Sequence, residues 1–147
     1  MDSVDRPLPN FAYGEAYPGS LAPALTSADK SIWILACFGL IPFWSKSAKI
    51  ARQTCNARSV TVAEKPSYRA AWKERRLCVI PAGCFFEPCY ESGKSVRWRI
   101  ERADRTPFGI AGIWEWRIND DGLPAWSMHV DHPRDRSPID ETIPRTR

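Results

Sequence analysis

Residues 37–46 read CFGLIPFWSK, residues 55–72 read CNARSVTVAEKPSYRAAW, and residues 75–90 read RRLCVIPAGCFFEPCY. The first piece is an apolar run, Phe38 to Trp44, that ends in a proline and two aromatics and is followed closely by bases. Asn56 and Arg58 stand two residues apart, so on a strand the amide and the guanidinium share one face. Glu87 sits among Phe85, Phe86 and the thiols of Cys84 and Cys89. A carboxylate in such company is paired or tuned in its protonation, because a bare charge is too costly to bury.

Working outward, Ser31–Phe38 (SIWILACF) is rich in β-branched and aromatic residues and predicts a buried strand. Gly39–Trp44 turns out of it, and the polar, basic Ser45–Thr54 predicts a loop with one helical turn. Cys55–Val62 reads as a short extended segment. Ser67, behind Pro66, predicts the N-cap of a short amphipathic helix that buries Tyr68, Ala71 and Trp72 and shows Arg69 and Lys73 to solvent. Strands follow at Arg76–Pro81 and Cys84–Tyr90, then a hairpin turn at Glu91–Lys94. Val96–Glu101 (VRWRIE) alternates with period two, as a half-exposed strand does. Phe108–Trp116 (FGIAGIWEW) predicts a core strand whose glycines admit a close neighbour. A turn at Asn119–Gly122 leads to a last short strand at Ala125–Val130.

The two ends differ from this pattern. Residues 1–30 carry Pro7, Pro9, Pro18 and Pro23 with Gly14 and Gly19, show neither period, and read as a loop-rich lead-in. Residues 131–147 are charged, hold three prolines and offer only Ile139 and Ile143 for burial, so they read as a polar tail. The expectation is one domain over 1–130, mainly β with a short helix (α+β), and a tail over 131–147.

Composition narrows the class. A chain of 147 residues, 44% hydrophobic and 26% charged, is a single ordinary globular domain with enough chain for a core. Its apolar runs fall short of the ~20 residues of a membrane helix, and the acidic Met1-Asp2-Ser3-Val4-Asp5 is unlike a signal peptide. A cytoplasmic monomer is expected, without a membrane partner. The five cysteines (37, 55, 78, 84 and 89) lack a C-x-x-C pair, so neither a disulfide framework nor zinc is expected, and no cofactor is implied. The net charge of +4 is unevenly spread: residues 44–76 hold nine Lys or Arg against two acids, a net of +7, and the rest of the chain is −3. A basic block beside aromatics is the footprint of a nucleic-acid surface, phosphates on cations and bases on rings; a solvated basic face is the plainer alternative.

FGLIPFW (38–44), CNARSVT (55–61), YRAAW (68–72), RRLCVIPAGCFFE (75–87) and GIAGIWEW (109–116), in this order and spacing, resemble the SRAP family, the SOS response-associated peptidases. The resemblance covers roughly residues 11–116. It implies a curved antiparallel β-sheet or barrel core with a few short helices, a role in the SOS and DNA-damage response, and single-stranded DNA with an abasic site as partner. In the family an N-terminal Met-Cys-Gly-Arg loses its methionine. The new α-amine and the thiolate then close a thiazolidine on the opened sugar of the lesion, chemistry that suits an amine, a thiolate and a proton-shuttling carboxylate. By resemblance, Asn56 would hold the sugar or the N-terminal residue, Arg58 would clamp a phosphate, and Glu87 would be the acid/base. Pro42, Phe43 and Trp44 would form an apolar wedge, and Lys46, Lys49 and Arg52 would track the backbone of DNA bound on the bacterial nucleoid.

The chain departs from the family pattern in three places. It reads Met1-Asp2 and contains no Met-Cys-Gly-Arg, so no nucleophile is assigned and neither crosslinking nor autoproteolysis is expected. His129 and His132 stand in Met-His-Val-Asp-His-Pro rather than in the family's His-x-Arg-Met-Pro. Pro88 follows Glu87 where the family has Trp. Three alternatives stay open: a non-covalent single-strand binder, a truncated relic, and a cysteine hydrolase using Cys84 or Cys89 with Glu87. In plainer terms, Asn56 caps a turn and Arg58 is an ion-pair partner.

Overall fold

The computed structural model describes residues 14–57, 60–118, 124–131 and 145–146. Its strands are β1 (Leu21–Thr26), β2 (Ile34–Phe38), β3 (Asn56–Ala57), β4 (Leu77–Ala82), β5 (Phe85–Cys89), β6 (Val96–Ile100), β7 (Phe108–Ile118), β8 (Pro124–Asp131) and β9 (Arg145–Thr146). One α-helix, α1 (Arg69–Lys73), and one 3-10 turn, Ala48–Arg52, complete the described elements.

The strands form two sheets. In the larger, β2, β1, β4, β7 and β8 are antiparallel neighbours in that order, and β8 pairs in parallel with β2, so the ring of pairings closes. β3 joins β8 in parallel just beyond β2. The smaller sheet runs β5-β6-β9. The mainly antiparallel β architecture with little helix is the one the sequence pattern predicts.

Alternation along β7 separates two cores. Successive strand residues point to opposite faces. Trp114 packs with Ala22, Ala24, Ala36, Cys78 and Ile80 in one buried cluster, while Ile113 packs with Leu40, Val62, Tyr68 and Ala71 in the other. The three alanines on β1 and β2 leave room for the indole inside a narrow ring. Its Nε1 donates to Ser27 Oγ at 3.3 Å, which satisfies the polar end of a buried ring. Arg76 pairs with the buried Glu115 and lies 5.6 Å from the Trp114 ring centroid.

Four details differ from the sequence expectation. β1 lies inside the segment that read as a loop. Its residues LAPALT are mostly small, and Pro23 carries no N–H, so propensity gives no strand signal. Pro23 is tolerated because pairing with β4 starts only at Leu25, leaving β2 as its partner strand. The helix is entered at Tyr68 rather than capped by Ser67, since Tyr68 and Arg69 both donate to Lys65 O within a run of turns. With a single turn of helix resting on the core through Tyr68 and Ala71, Trp72 is left 43% exposed rather than buried. Finally, Asp131 closes β8, and Arg145–Thr146 pairs with Arg99 and Ile100 of β6, so the polar tail contributes backbone to the second sheet. The N-terminal lead-in up to residue 13 and the turn at 119–122 lie outside the described residues.

Candidate nucleic-acid interface

The segment between β2 and β3 carries most of the residues that the sequence singles out. It leaves the sheet at Gly39, whose φ of +110° suits glycine alone; a Cβ there would lie 2.1 Å from Ala51 O. Leu40 follows, fully buried, and its N–H donates to Thr54 O at 3.3 Å. The buried Thr54 hydroxyl answers with a 2.6 Å bond to Leu40 O. The neck of the segment is therefore closed by paired groups.

Beyond the neck is a tight turn. Ser45 N–H donates to Pro42 O at 2.9 Å, which makes Phe43 and Trp44 the corner residues. Pro42 is fully buried at the base, whereas Phe43 and Trp44 are 65% and 50% exposed. Of the three residues expected to form a wedge, Pro42 is thus an anchor and the two rings are the exposed part. Ser45 O also accepts from Arg117 Nη1 at 2.8 Å, a bond reaching across from β7.

The bases come next. Ser47 caps the 3-10 turn by accepting from Lys49 N–H at 3.2 Å. With three residues per turn, positions i and i+3 eclipse, so Lys49 and Arg52 lie along one edge of it. Lys46, Lys49 and Arg52 are all exposed, while Ala51 between them is fully buried. Burial of one face forces the cations outward.

Asn56 resumes the sheet as β3, with its side chain exposed and its backbone opposite Val130. Its carbonyl accepts from the Tyr68 hydroxyl at 3.4 Å, so Asn56 is a strand residue braced by the helix side rather than a turn cap. Burial, with the Cys55 thiol nearby, pushes Tyr68 up to about 12. Burial likewise raises Cys37 and Cys55, and lifts Cys78 to about 12, so these thiols are held protonated. Arg58 and His132 lie outside the described residues. His129 stands on β8 opposite Ile113.

Glu87 belongs to the other sheet. It is half-buried on β5, directly across from Trp98 of β6, on the face shared with Phe85 and Cys89. Phe85 meets Phe108 edge to face at 6.1 Å, which ties this hairpin to the start of β7. A cleft of about 310 Å³ opens beside it, lined by Cys89, Glu91, Ser92, Val96 and Trp98. The structure therefore gathers Pro42, Phe43, Trp44, Lys46, Lys49, Arg52 and Asn56 on one excursion of the large sheet and sets Glu87 on the small one. Among the described residues, no group of three or more His, Cys, Asp or Glu is arranged to hold a metal ion. No helix there is long and apolar enough to cross a membrane.

Two features had no signal in the sequence. One is Arg117, whose acceptor is a backbone carbonyl far away in the chain. The other is a clasp on the opposite face of the hairpin. Arg97 stacks 3.7 Å from the Phe86 ring centroid, lies 5.9 Å from that of Tyr17, and pairs with Glu15. The Tyr17 hydroxyl donates to Glu15 as well; that bond first, and Arg97 after it, holds the Glu15 carboxyl below the usual range.

Exposed rings on a pinned turn thus stand beside aligned cations on a small, closed, mainly antiparallel β-ring. The chain belongs to the SRAP family: the profile described as SOS response associated peptidase (SRAP) matches residues 6–130. It is 35% identical over 97 residues to the abasic site processing protein YoaM of Bacillus subtilis (strain 168), a match covering 65% of this chain and 38% of that protein. It is 31% identical over 105 residues to the abasic site processing protein HMCES of Xenopus tropicalis, covering 63% of this chain and 28% of that one. A crystal structure of a protein from Bacteroides thetaiotaomicron superposes with a TM-score of 0.62 at 30% identity, covering 76% of this chain and 49% of the other. The chain spans less than half the length of these curated relatives.

Proposed function

We propose that this chain binds single-stranded DNA, with abasic-site DNA as its target. Phe43 and Trp44 stack on or wedge between bases, Lys46, Lys49 and Arg52 neutralise phosphates, and Arg58 adds a further clamp. The observation that carries the reading is the pair of exposed rings at the corner of a turn whose base, Pro42, is buried, with three exposed cations on the adjoining segment. Rings take any base because every base has a π-face, and cations take any phosphate, so the surface suits strand recognition without sequence preference. The relatives' names, which speak of processing abasic sites, favour a strand bearing that lesion. Asn56 and Glu87 are proposed as the polar groups nearest the lesion chemistry, Glu87 as the proton carrier.

Fluorescence anisotropy tests this, using a labelled single strand with one abasic site, the intact strand and the duplex. Single strands should bind with an affinity that falls steeply with salt, and the lesion strand should bind at least as well as the intact one. A preference for duplex, or absence of binding at low salt, overturns the reading. A denaturing gel of the lesion strand with the Asp2→Cys variant then asks whether covalent capture can be installed on this surface.

A further inference from the structure

The turn carrying Phe43 and Trp44 is held at its entrance by burial of Pro42. Its exit, Ser45, has its hydroxyl bonded to Ser47 O at 3.0 Å, a contact internal to the excursion. The hold on Ser45 from outside is Arg117 Nη1, 2.8 Å from its carbonyl oxygen. Arg117 itself projects from a strand paired residue by residue with β8, opposite Ala125 and flanked by the pairs Trp116–Trp126 and Ile118–Pro124. A cation donating from such a strand makes a charge-assisted bond on a rigid base.

We infer that Arg117 is the positioning residue of the ring pair: it fixes the exit of the Pro42–Ser45 turn, and so the angle at which Phe43 and Trp44 face the strand. This rests on the reading of those rings as the DNA contact. The alternative is that Arg117 touches a phosphate directly. A positioning role acts through the rings and leaves the number of released counterions unchanged; a phosphate contact acts alongside them and lowers the salt slope.

The test uses Arg117→Met, which keeps the stem without a donor, Arg117→Lys, which keeps a cationic donor, and Arg117→Gln as a second neutral variant. In the free protein, the Ser45 amide should exchange roughly tenfold faster in Arg117→Met, the scale of one lost hydrogen bond, and near the parental rate in Arg117→Lys. Unchanged exchange in both neutral variants overturns the inference. At low salt, where weakened variants still bind, the loss of affinity from Arg117→Met should vanish in a background carrying both Phe43→Ala and Trp44→Ala, with the salt slope unaltered. Additive losses with a shallower slope overturn it in favour of the phosphate contact. If the parent chain binds no single strand, the DNA reading falls, and Ser45 exchange still decides whether Arg117 sets the turn.

Discussion

Phe38 and Asn56 are separated in the chain by all of residues 39–55, yet they lie along the same edge of β8, opposite Met128 and Val130. β2 and β3 are in effect one strand, interrupted to let an excursion out and taken up again where it returns. Tying both ends of the excursion to a single neighbour is what allows a loop to present rings and cations in a set arrangement.

The neck of that excursion should be intolerant of a side chain. Gly39→Ala forces a left-handed backbone on alanine and drives its Cβ into the Ala51 carbonyl. A loss of about 3 kcal/mol or more in urea denaturation is expected from strain and overpacking together.

The exposed rings should matter for binding and little for folding. A base–aromatic stack is worth about 1–3 kcal/mol, so Phe43→Ala or Trp44→Ala should weaken single-strand affinity by roughly five- to a hundredfold. Thermal melts of the same variants should stay close to the parent, because both rings are largely in solvent. A collapse of the melt would make them packing residues.

Lys49→Gln and Arg52→Gln should act through salt. Each removes one exposed cation, so the slope of log affinity against log salt should become shallower by about 0.7 per substitution, the single-strand value. Unchanged slopes would place the phosphates elsewhere.

Stability should fall on the alkaline side. Burial holds the Cys78 thiol and the Tyr68 hydroxyl protonated up to about 12. In the unfolded chain these groups lose their protons near about 8.5 and 10. Above those values the unfolded state binds fewer protons, so stability is fully present below about pH 8.5 and declines as pH rises toward 12. Denaturation midpoints between pH 7 and 10.5 check this; in Cys78→Ala the midpoint should be lower at pH 7 and its alkaline decline less steep.

A gain in stability is expected at the end of α1. Arg75 sits at φ 53°, in the left-handed region, while Arg76 N–H reaches back to Ala71 O at 2.9 Å. This is a helix stop that glycine fills without the steric cost of a Cβ, so Arg75→Gly should stabilise by about 1 kcal/mol. A higher melting temperature would bear it out.

Strands with strong period or branched residues are legible in the sequence: RLCVIP, VRWRIE and FGIAGIWEW form β4, β6 and β7 with small shifts at their ends. β1 was hidden because its inward alanines, Ala22 and Ala24, suit a narrow ring, a demand visible only once Trp114 is placed inside it. The excursion's chemistry was legible as composition, aromatics followed by bases. Its division of labour was not, since the burial of Pro42 and the exposure of Trp72 are decided by which surfaces lie nearby. Arg117 left no trace because its partner is a main-chain carbonyl, which any residue could supply.

The ring closes only when Cys37 of β2 meets Ser127 of β8, the most distant pairing in the large sheet. A chain emerging in order would form β1–β2 early and then wait for almost the whole domain before the second edge of β2 is covered. Contacts of such long range make for slow assembly. The excursion is anchored by that same late contact, since β3 also needs β8. Maturation of the rings and cations into a working surface therefore belongs to the final step of folding, and an unfinished chain would present neither.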